Sequence, residues 1–430
     1  MKFKKNKIAI VGLGYVGLPL AVEFSKKFKV FGFDINHKRI AELKEGHDST
    51  KEIDPTFFKD NPNLTISFDL SVIKDANIYI VTVPTPVDKN NKPDLEPLKS
   101  ASDLIGSILE KGNVVIYEST VFPGCTEEVC VPILEATSGL KYNNEFFCGY
   151  SPERINPGDE KHTISNIRKI ISGSNNEVCL FIDRLYSSII QAGTFRVSSM
   201  AVAEAAKVIE NTQRDVNIAL INELAIIFNK LQIDTKEVLD AASTKWNFVP
   251  FQPGLVGGHC IGVDPYYLTH KALEIGYHPE IILTGRKIND GMGDYIAEKT
   301  ISSLVSKGIN PIGAKITVLG LTFKENCPDL RNTKVVGLIN KLVEYQCEVI
   351  VSDEWASTEE VDSYYDIHLT PKEDISQQDA IIIAVAHSKY LNIPMKSWKR
   401  LLKPCGLVID VKSMYQPSFF RESNFSYWSL

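Results

Sequence analysis

Three glycines near the start of the chain constrain its fold more than any other feature. They stand at positions 12, 14 and 17, between the apolar run IAIV and a segment with helical spacing. The first permits a tight turn, the second lets a pyrophosphate approach the backbone, and the third lets a helix pack closely on the strand. The free N–H groups of the helix N-terminus then attract the anion. The spacing predicts a dinucleotide site formed by Gly12, Gly14, Tyr15, Val16 and Gly17.

The next apolar run, VFGFD, ends at Asp34. An acid about 20 residues after such glycines hydrogen-bonds the adenosine ribose hydroxyls and repels a 2′-phosphate, so Asp34 favours NAD over NADP. Lys38 and Arg39 could reach such a phosphate, which keeps NADP as the alternative. Asp34 could otherwise be a helix cap without a ligand.

Short apolar runs alternate with helical patterns through the first third of the chain, which predicts a doubly wound α/β sheet. The predicted strands are Lys7–Val11, Val30–Asp34, Ile78–Val83, Val114–Glu118 and Phe146–Tyr150. The last quarter repeats this order in KITVLGLT, VIVSDEW, AIIIAVAHS and LVIDVKS, without a second GxGxxG. We therefore expect two sheet domains of related design.

The middle of the chain is predicted to be helical. No Gly or Pro occurs from Met200 to Gln232, which is enough for a helix of roughly 45 Å. Such a helix could link the sheet domains and support a subunit interface. Pro311 follows Lys307 and Gly308 and marks a boundary. We expect domains at 1–198, 199–308 and 309–430.

Polar side chains follow two predicted strands, at the sheet edge where open α/β folds bind ligands. Thr82 and Thr85 lie in VTVPTPVD, and Glu118, Ser119 and Thr120 lie in YESTVFPG. Each hydroxyl could be an ordinary strand-end cap, but their joint placement favours a site.

Two further groups of polar residues have two interpretations each. Lys324 and Arg331 lie in a predicted strand-end loop, where two cations suit a phosphate-bearing ligand; a solvated loop is the alternative. On the long helix, a polar stripe is either its wet face or a source of hydrogen bonds, from Lys207 and Asn211, to a developing oxyanion. The stripe comprises Glu204, Lys207, Asn211 and Arg214.

Cys260 lies in the glycine-rich turn PGLVGGHCIGVDP. The glycines leave its sulfur accessible, as a reactive thiolate requires. A cysteine beside a nicotinamide can trap an aldehyde as a thiohemiacetal, which a second oxidation turns into a thioester. A buried inert thiol is the alternative. We expect no metal site, because no HExxH or paired-cysteine spacing is present.

Composition limits the partners and the location. The net charge of −6 over 430 residues gives no overall attraction to nucleic acid or to a membrane surface. Eight scattered cysteines predict reduced thiols in a cytoplasmic protein. The basic start superficially resembles a secretion signal but has no obvious cleavage site, and no apolar stretch reaches the ~18 residues of a membrane span.

Seven motifs in order resemble the UDP-glucose/GDP-mannose dehydrogenase family, over about residues 6–420. They are GLGYVGLP, VPTP, YESTVFPG, SPERINPGD, EAAKVIENT, GGHCIGVDP and TFKENCPDLRNT. The resemblance implies two Rossmann-like domains joined by a long helix in a helical dimerisation region. It also implies a homodimer that oxidises a nucleotide sugar twice with NAD, giving a uronic acid.

The resemblance assigns roles by position. Cys260 resembles the thioester-forming nucleophile, and Asp264 the residue that orients water for hydrolysis. Lys207 and Asn211 resemble the oxyanion-stabilising groups, and Glu153 and Thr120 the base and water-holding pair of the first oxidation. The remaining implied contacts are with the substrate, or with the cofactor for Arg331. They involve Arg154, Phe251, Gly254, Gly257, Lys324 and Arg331.

SPERINPGD and the long-helix motif are most similar to the branch that oxidises UDP-N-acetylhexosamines for bacterial capsules and O-antigens. The implied substrate is UDP-GlcNAc or UDP-GalNAc. UDP-glucose and UDP-ManNAc stay as alternatives within the class, and an inactive NAD-binding scaffold as one outside it. The short PGLVGGHC turn departs from the longer PGPG-type turn of many relatives, which puts the geometry of the substrate loop in question.

Overall fold

The chain divides into two compact units. A computed structural model describes residues 6–50, 52–88, 90–155, 163–258, 261–421 and 423–430. The first unit comprises Met1–Glu210 and Tyr266–His278, and the second comprises Asn211–Pro265 and Pro279–Leu430.

The first unit is built on an eight-stranded sheet in the order β3-β2-β1-β4-β5-β6-β7-β8. Every pair of neighbours is parallel except β6 and β7. The strands are β1 Lys7–Val11, β2 Lys29–Phe33, β3 Leu64–Ser67, β4 Ile78–Val81, β5 Val114–Tyr117, β6 Phe147–Tyr150, β7 Lys169–Gly173 and β8 Thr194–Arg196.

Helices cover this sheet because its central strands are apolar on both faces. All four residues of β4 and of β5 are buried, as a parallel sheet between helices requires. The helices up to residue 187 are α1 Gly17–Ser25, α2 His37–Glu45, α3 Glu96–Gly106, α4 Val131–Ser138 and α5 Asn176–Ser187. The strand order reverses between β1 and β4, which is where such folds bind ligands.

Long helices follow, without a strand until residue 315 among the described residues. They are α6 Met200–Leu231, α7 Thr235–Ala242, α8 Asp264–Glu274 and α9 Glu280–Ser306. The predicted helix at 200–232 is confirmed, and it stops where Gln232 adopts a left-handed φ of 60°. No described helix is both long and apolar enough to cross a membrane.

The second unit has a five-stranded parallel sheet in the order β10-β9-β11-β12-β13. Its strands are β9 Lys315–Leu319, β10 Glu348–Ser352, β11 Gln378–Ile383, β12 Leu402–Asp410 and β13 Ser426–Ser429. Its remaining helices are α10 Val335–Glu344, α11 Thr358–Tyr365, α12 Met395–Leu401 and α13 Pro417–Arg421. The prediction of two doubly wound sheets is confirmed, while the three domain boundaries stay a prediction.

Candidate active site

The glycine turn after β1 has the geometry that its spacing predicts. Gly12 has a φ of +99°, which favours glycine. A Cβ on Gly17 would lie 1.8 Å from the carbonyl oxygen of Gly12, so only glycine lets α1 approach this closely. A Cβ on Gly14 would meet no described atom within 4 Å beyond its chain neighbours. The backbone at Gly14 is therefore open to a pyrophosphate, and Tyr15 and Val16 beside it are half-buried.

Asp34 holds this turn from the end of β2. Its Oδ2 accepts the N–H of Leu13 at 2.8 Å, and its Oδ1 accepts the N–H of Asn36 at 2.8 Å. A carboxylate has about four acceptor positions, so a ribose hydroxyl can still bind. The alternative of a helix cap is wrong, because Asn36 caps α2 by accepting from Lys38 and Arg39.

Arg39 is buried behind the turn. Its guanidinium donates to the Leu13 carbonyl at 2.9 Å, to Ser49 Oγ at 3.1 Å and to Asp48 Oδ1 at 2.7 Å. Burial opposes ionisation of Asp48, but hydrogen bonds from Thr50, Arg39 and the Ile53 backbone lower its pKa. The charge of Arg39 is thus already paired with Asp48, and its bond to the Leu13 carbonyl holds the glycine turn in place. This pairing weakens the case for a 2′-phosphate and so supports NAD.

Ile35 was not predicted from the sequence as a site residue. It follows Asp34 directly, and 75% of its surface is exposed. A large exposed apolar side chain beside a carboxylate that is predicted to bind ribose suits contact with an adenine ring. The signal available in the sequence was an apolar residue between Asp34 and the cap Asn36, in an otherwise polar turn.

Two of the four predicted hydroxyls at the strand ends bind backbone carbonyls of neighbouring loops. Thr82 Oγ1 donates to the Gly12 carbonyl at 2.8 Å, and Ser119 Oγ donates to the Val83 carbonyl at 2.7 Å. These two residues therefore tie strand-end loops together, as the alternative interpretation holds. Thr85 and Thr120 are half-buried in the segments after β4 and β5.

Glu153 lies in the segment after β6 with both carboxylate oxygens in hydrogen bonds. Its Oε1 accepts the backbone N–H groups of Arg154 and Ile155, and its Oε2 accepts from Lys169 Nζ at 3.3 Å. Arg154 binds Glu210 Oε1 at 2.8 Å and donates to the Arg168 carbonyl at 2.9 Å. Glu153 and Arg154, which were both predicted as site residues, are thus fixed within the first unit.

The polar stripe of α6 is not its wet face. Glu204, Lys207 and Asn211 are buried, and only Arg214 is exposed. Glu204 accepts the N–H of Thr126 at 2.9 Å and its hydroxyl at 2.6 Å, although burial raises the pKa of this carboxyl. Burying polar groups is costly unless they bind partners. The burial therefore favours a functional role for Lys207 and Asn211.

Asn211 and Asp264 meet in the second unit. Asn211 Nδ2 donates to Asp264 Oδ2 at 2.6 Å, and both residues are buried. Asp264 is also the first residue of α8, where the helix dipole favours a carboxylate. His259 and Cys260, just before it in the chain, lie outside the described residues.

The glycine-rich loop before Cys260 is clamped by one amide. Asn222 Oδ1 accepts the N–H of Gly254 at 2.8 Å, and Asn222 Nδ2 donates to the Gly254 carbonyl at 3.1 Å. Gly254 has a φ of +150° and Gly258 a φ of +86°, which explains why glycine occurs here. Phe251 is half-buried two residues before the loop begins.

A buried polar network fixes the clamp in turn. Asn222 Nδ2 donates to Asn289 Oδ1 at 2.8 Å, and Asn289 donates to Asp215 Oδ1 at 2.8 Å. Arg286 pairs with the same Asp215 oxygen at 2.7 Å. Buried hydrogen bonds strengthen one another in a low-dielectric interior, so these contacts restrict the position of Asn222. None of these network residues was predicted from the sequence as part of a site.

The same loop packs on the segment that carries the two predicted cations. A Cβ on Gly257 would lie 2.8 Å from the Asn332 carbonyl oxygen and 3.3 Å from Phe323 Cβ. Lys324 follows Phe323 and is half-buried. The structure therefore brings Gly257 next to Phe323, the residue before Lys324.

Arg331 differs from Lys324 in its setting. Its guanidinium binds Asp329, with Nη2 2.6 Å from Oδ2 and Nε 3.0 Å from Oδ1. About 40% of its side chain stays exposed. Among the described residues, no group of three or more His, Cys, Asp or Glu side chains is arranged to hold a metal ion.

Comparisons with known proteins agree with the motifs. Residues 6–190, 201–291 and 317–417 match the NAD binding, central and UDP binding domains of the UDP-glucose/GDP-mannose dehydrogenase family. The chain is 58% identical to a UDP-N-acetyl-D-glucosamine 6-dehydrogenase of Pseudomonas aeruginosa, covering 95% of this chain and 97% of the relative. It is 54% identical to one of Salmonella typhi, covering 94% and 96%. The predicted family and the predicted cofactor, NAD, are confirmed.

A solved structure shows the same fold. A UDP-D-ManNAc dehydrogenase from Pyrococcus horikoshii superimposes with a TM-score of 0.88 at 29% identity, covering 98% of each chain.

Replacing Asn222 with alanine tests the clamp. Asn222→Ala leaves both polar groups of Gly254 without this partner, so the loop loses its fixed position. We expect kcat/KM for a nucleotide sugar to fall roughly 10–100-fold, because small displacements of positioning groups are costly. The Kd for NAD should stay unchanged, since the glycine turn is in the other unit.

Asn217→Ala is the matched control on the same helix. The Asn217 side chain donates to the Gln213 carbonyl one turn earlier in the same helix, at 2.7 Å. A kcat/KM of Asn222→Ala equal to that of the control would show that the clamp does not position the loop.

Proposed function

This chain belongs to the UDP-glucose/GDP-mannose dehydrogenase family, and from that premise we propose that it oxidises the C6 hydroxyl of UDP-N-acetyl-D-glucosamine to the uronic acid. The observation that carries the choice of sugar is the 58% and 54% identity, over nearly the full chain, to two UDP-N-acetyl-D-glucosamine 6-dehydrogenases. UDP-GalNAc, the C4 epimer, is the second candidate, because a pocket without a specific hydrogen bond discriminates epimers weakly.

The cofactor turn fits NAD. Gly14 is open, Gly17 lets the N-terminus of α1 approach, and Asp34 has acceptor positions left for a ribose. When bound, NAD accepts a hydride in each of the two oxidations. The residues proposed to hold it are Gly12, Gly14, Tyr15, Val16, Gly17, Asp34, Thr85 and Thr120, with Arg39 supporting the turn.

Each step of the sugar chemistry is assigned to named residues of the chain. Glu153, with Thr120, takes the proton of the C6 hydroxyl in the first oxidation. The Cys260 thiolate then adds to the aldehyde carbon to give a thiohemiacetal, and Lys207 and Asn211 donate hydrogen bonds to its oxyanion. The second oxidation gives a thioester.

Hydrolysis of the thioester completes the reaction. Asp264 directs a water molecule to the carbonyl carbon, the C–S bond breaks, and the acid leaves. Asn211 supports this role, because its amide fixes the Asp264 carboxylate at 2.6 Å. Lys324 and Arg331 are proposed to neutralise phosphate charge, Lys324 on the substrate and Arg331 on the cofactor side. Arg154 and the loop of Phe251, Gly254 and Gly257 are proposed to contact the substrate.

A homodimer is the proposed assembly. Five exposed apolar side chains of α6 fall within about 40° of one another around the helix, at 100° per residue. They are Val202, Ile209, Leu220, Ile227 and Leu231. An apolar stripe of this kind is typical of a subunit interface, and a two-fold axis lets the same face of a second copy cover it. We propose a cytoplasmic location, because nucleotide sugars and NAD are the reactants.

Counting NADH tests the function. We expect two NADH per molecule of UDP-GlcNAc, with kcat/KM higher than for UDP-GalNAc, UDP-ManNAc or UDP-glucose. One NADH per sugar would contradict the double oxidation. A preference for UDP-glucose or UDP-ManNAc would contradict the proposed sugar. No NADH with any of the four would favour the inactive scaffold.

Replacing the proposed nucleophile tests the mechanism. Cys260→Ser removes the thiolate, so the acid product should be lost, with a slow or trapped intermediate instead, while the Kd for NAD is retained. Cys405→Ser is the control, because Cys405 is a free thiol on the surface. Unchanged turnover of Cys260→Ser, measured as NADH and as acid, would remove this residue from the mechanism.

Sedimentation velocity tests the assembly. We expect wild type to sediment as a dimer and Leu220→Glu as a monomer, because the new charge would be buried in the interface. Leu391→Glu, an exposed leucine away from α6 in sequence, should remain dimeric. A dimeric Leu220→Glu or a monomeric wild type would show that the α6 face is not the interface.

A further inference from the structure

Two buried carboxylates share one lysine in the first unit. Lys169, the first residue of β7, donates to Glu118 Oε2 at 2.6 Å and to Glu153 Oε2 at 3.3 Å. The other oxygen of Glu118 accepts the hydroxyl of Tyr186 from α5. The side chains of Glu118 and Lys169 are only 0% and 4% exposed, and that of Glu153 is 12% exposed. We call these four residues the Glu118 cluster.

The charges of the Glu118 cluster do not balance. With both carboxylates ionised and Lys169 protonated, the buried cluster carries one net negative charge. A low-dielectric environment disfavours such an excess, so binding one proton is favoured. Burial raises the pKa of Glu118 to about 7, and the charge of Glu153 adds to this rise, although Lys169 and Tyr186 oppose it. Burial opposes the charge of Lys169, but its two carboxylates raise its pKa, so Lys169 stays protonated.

The contacts define a path from Glu153 to Glu118. Both carboxylates use an Oε2 atom to accept from the same ammonium group. Glu153 is the more exposed of the two, and its Oε1 is held by backbone N–H groups. Glu118 has no comparable exposure, and the Tyr186 ring lies 5.5 Å below Lys169 Nζ. A proton that reaches Glu153 can therefore move inward to Glu118 without crossing solvent.

We propose that Glu118, Lys169 and Tyr186 form a proton store behind Glu153, which returns Glu153 to its ionised state after it has accepted the proton of the alcohol. This proposal rests on the proposed function, because it needs Glu153 to be the base of the first oxidation. One N–H bond of Lys169 first breaks as an O–H bond to Glu118 forms, and the neutral amine then accepts the proton of Glu153 as the O–H bond of Glu153 breaks. Lys169 is an ammonium before and after, and no electrons are transferred.

A store of this kind suits a reaction with two oxidations. The first oxidation releases the proton of the alcohol, and hydrolysis of the thioester releases further protons, whereas hydride leaves the thiohemiacetal oxyanion without a proton. The base must therefore be freed again within one substrate residence. Glu118 and Lys169 act through Glu153 and are positioning residues. Glu118 can accept a proton only as a carboxylate, so its capacity is present above its pKa and lost as pH falls through about 7.

The pH profile of kcat at saturating UDP-GlcNAc and NAD is the test. Wild type should lose activity on an acidic limb near pH 7. Glu118→Gln keeps the shape but cannot ionise, so kcat should fall roughly tenfold or more, and this limb should disappear. Tyr186→Phe removes a hydrogen bond to the carboxylate, which raises the pKa of Glu118, so the limb should move to higher pH.

Tyr142→Phe is the matched control. Tyr142 is another tyrosine of the first unit whose hydroxyl donates to a glutamate, Glu127, at 3.2 Å. The acidic limb in the kcat profile of Tyr142→Phe should coincide with that of wild type. Infrared titration of the protein without NAD gives a second readout. We expect a protonated carboxyl that ionises near pH 7 in wild type, at higher pH in Tyr186→Phe, and that is absent from Glu118→Gln.

Two results would contradict the proposal that Glu118, Lys169 and Tyr186 form a proton store. One is a Glu118→Gln variant that keeps wild-type kcat and its acidic limb. The other is a Tyr186→Phe variant whose limb and infrared titration stay in place. Both differ from failure of the proposed function, in which wild type itself forms no NADH; the infrared titration then still decides whether Glu118 takes up a proton near pH 7.

Discussion

The contact between the first strand and the first helix is the constraint on which the cofactor side depends. A side chain at Gly17 would overlap the Gly12 carbonyl, so the helix can approach only because residue 17 is glycine. The peptide groups at 12 and 13 are then fixed from three sides. Thr82 binds the Gly12 carbonyl, Asp34 binds the Leu13 N–H, and Arg39 binds the Leu13 carbonyl. A turn held this way meets an anion with little rearrangement, which is the condition for strong electrostatic binding.

The second sheet repeats this plan but closes the position where a ribose would bind. Gly320 has a φ of +90°, and Asp353 accepts the N–H groups of Leu321 and Thr322, as Asp34 accepts that of Leu13. Here, however, the carboxylate also pairs with buried His387 at 3.2 Å. Burial opposes ionisation, but the hydrogen bonds from His387 and the backbone lower the pKa of Asp353 to about 2. His387 also accepts the Asn326 N–H, so this pair orders the loop of Lys324 instead of holding a dinucleotide.

Local chemistry could be predicted from the sequence, and its long-range partners could not. The central strands are apolar runs between turn residues, whereas β3, β8 and β13, which are short and little buried, went unpredicted. The strand β7 was also missed, although four of its five residues are buried. The predicted strand at 78–83 ends at Val81, three residues before Pro84, which has no N–H for the ladder. Spacing indicated Lys207, and the resemblance of SPERINPGD indicated Glu153. Lys169, however, lies 51 residues from Glu118, and Asn222 lies 32 from Gly254. Only the fold shows such pairs, because nothing in the local pattern marks either partner.

The long helix shows why a periodic pattern alone was ambiguous. Its polar stripe is buried at Glu204, Lys207 and Asn211, while an apolar stripe that includes Ile209 and Leu220 is exposed. This is the reverse of a solvated surface helix, in which the apolar face is the buried one. Burying a lysine and an amide costs free energy unless they bind charge or polar groups, and exposing five large apolar side chains costs free energy unless something covers them. Both costs are offset if one face of the helix serves the reaction and the other meets a second copy. The sequence pattern shows that two faces exist, and the burial shows that the polar face is the covered one and the apolar face the exposed one.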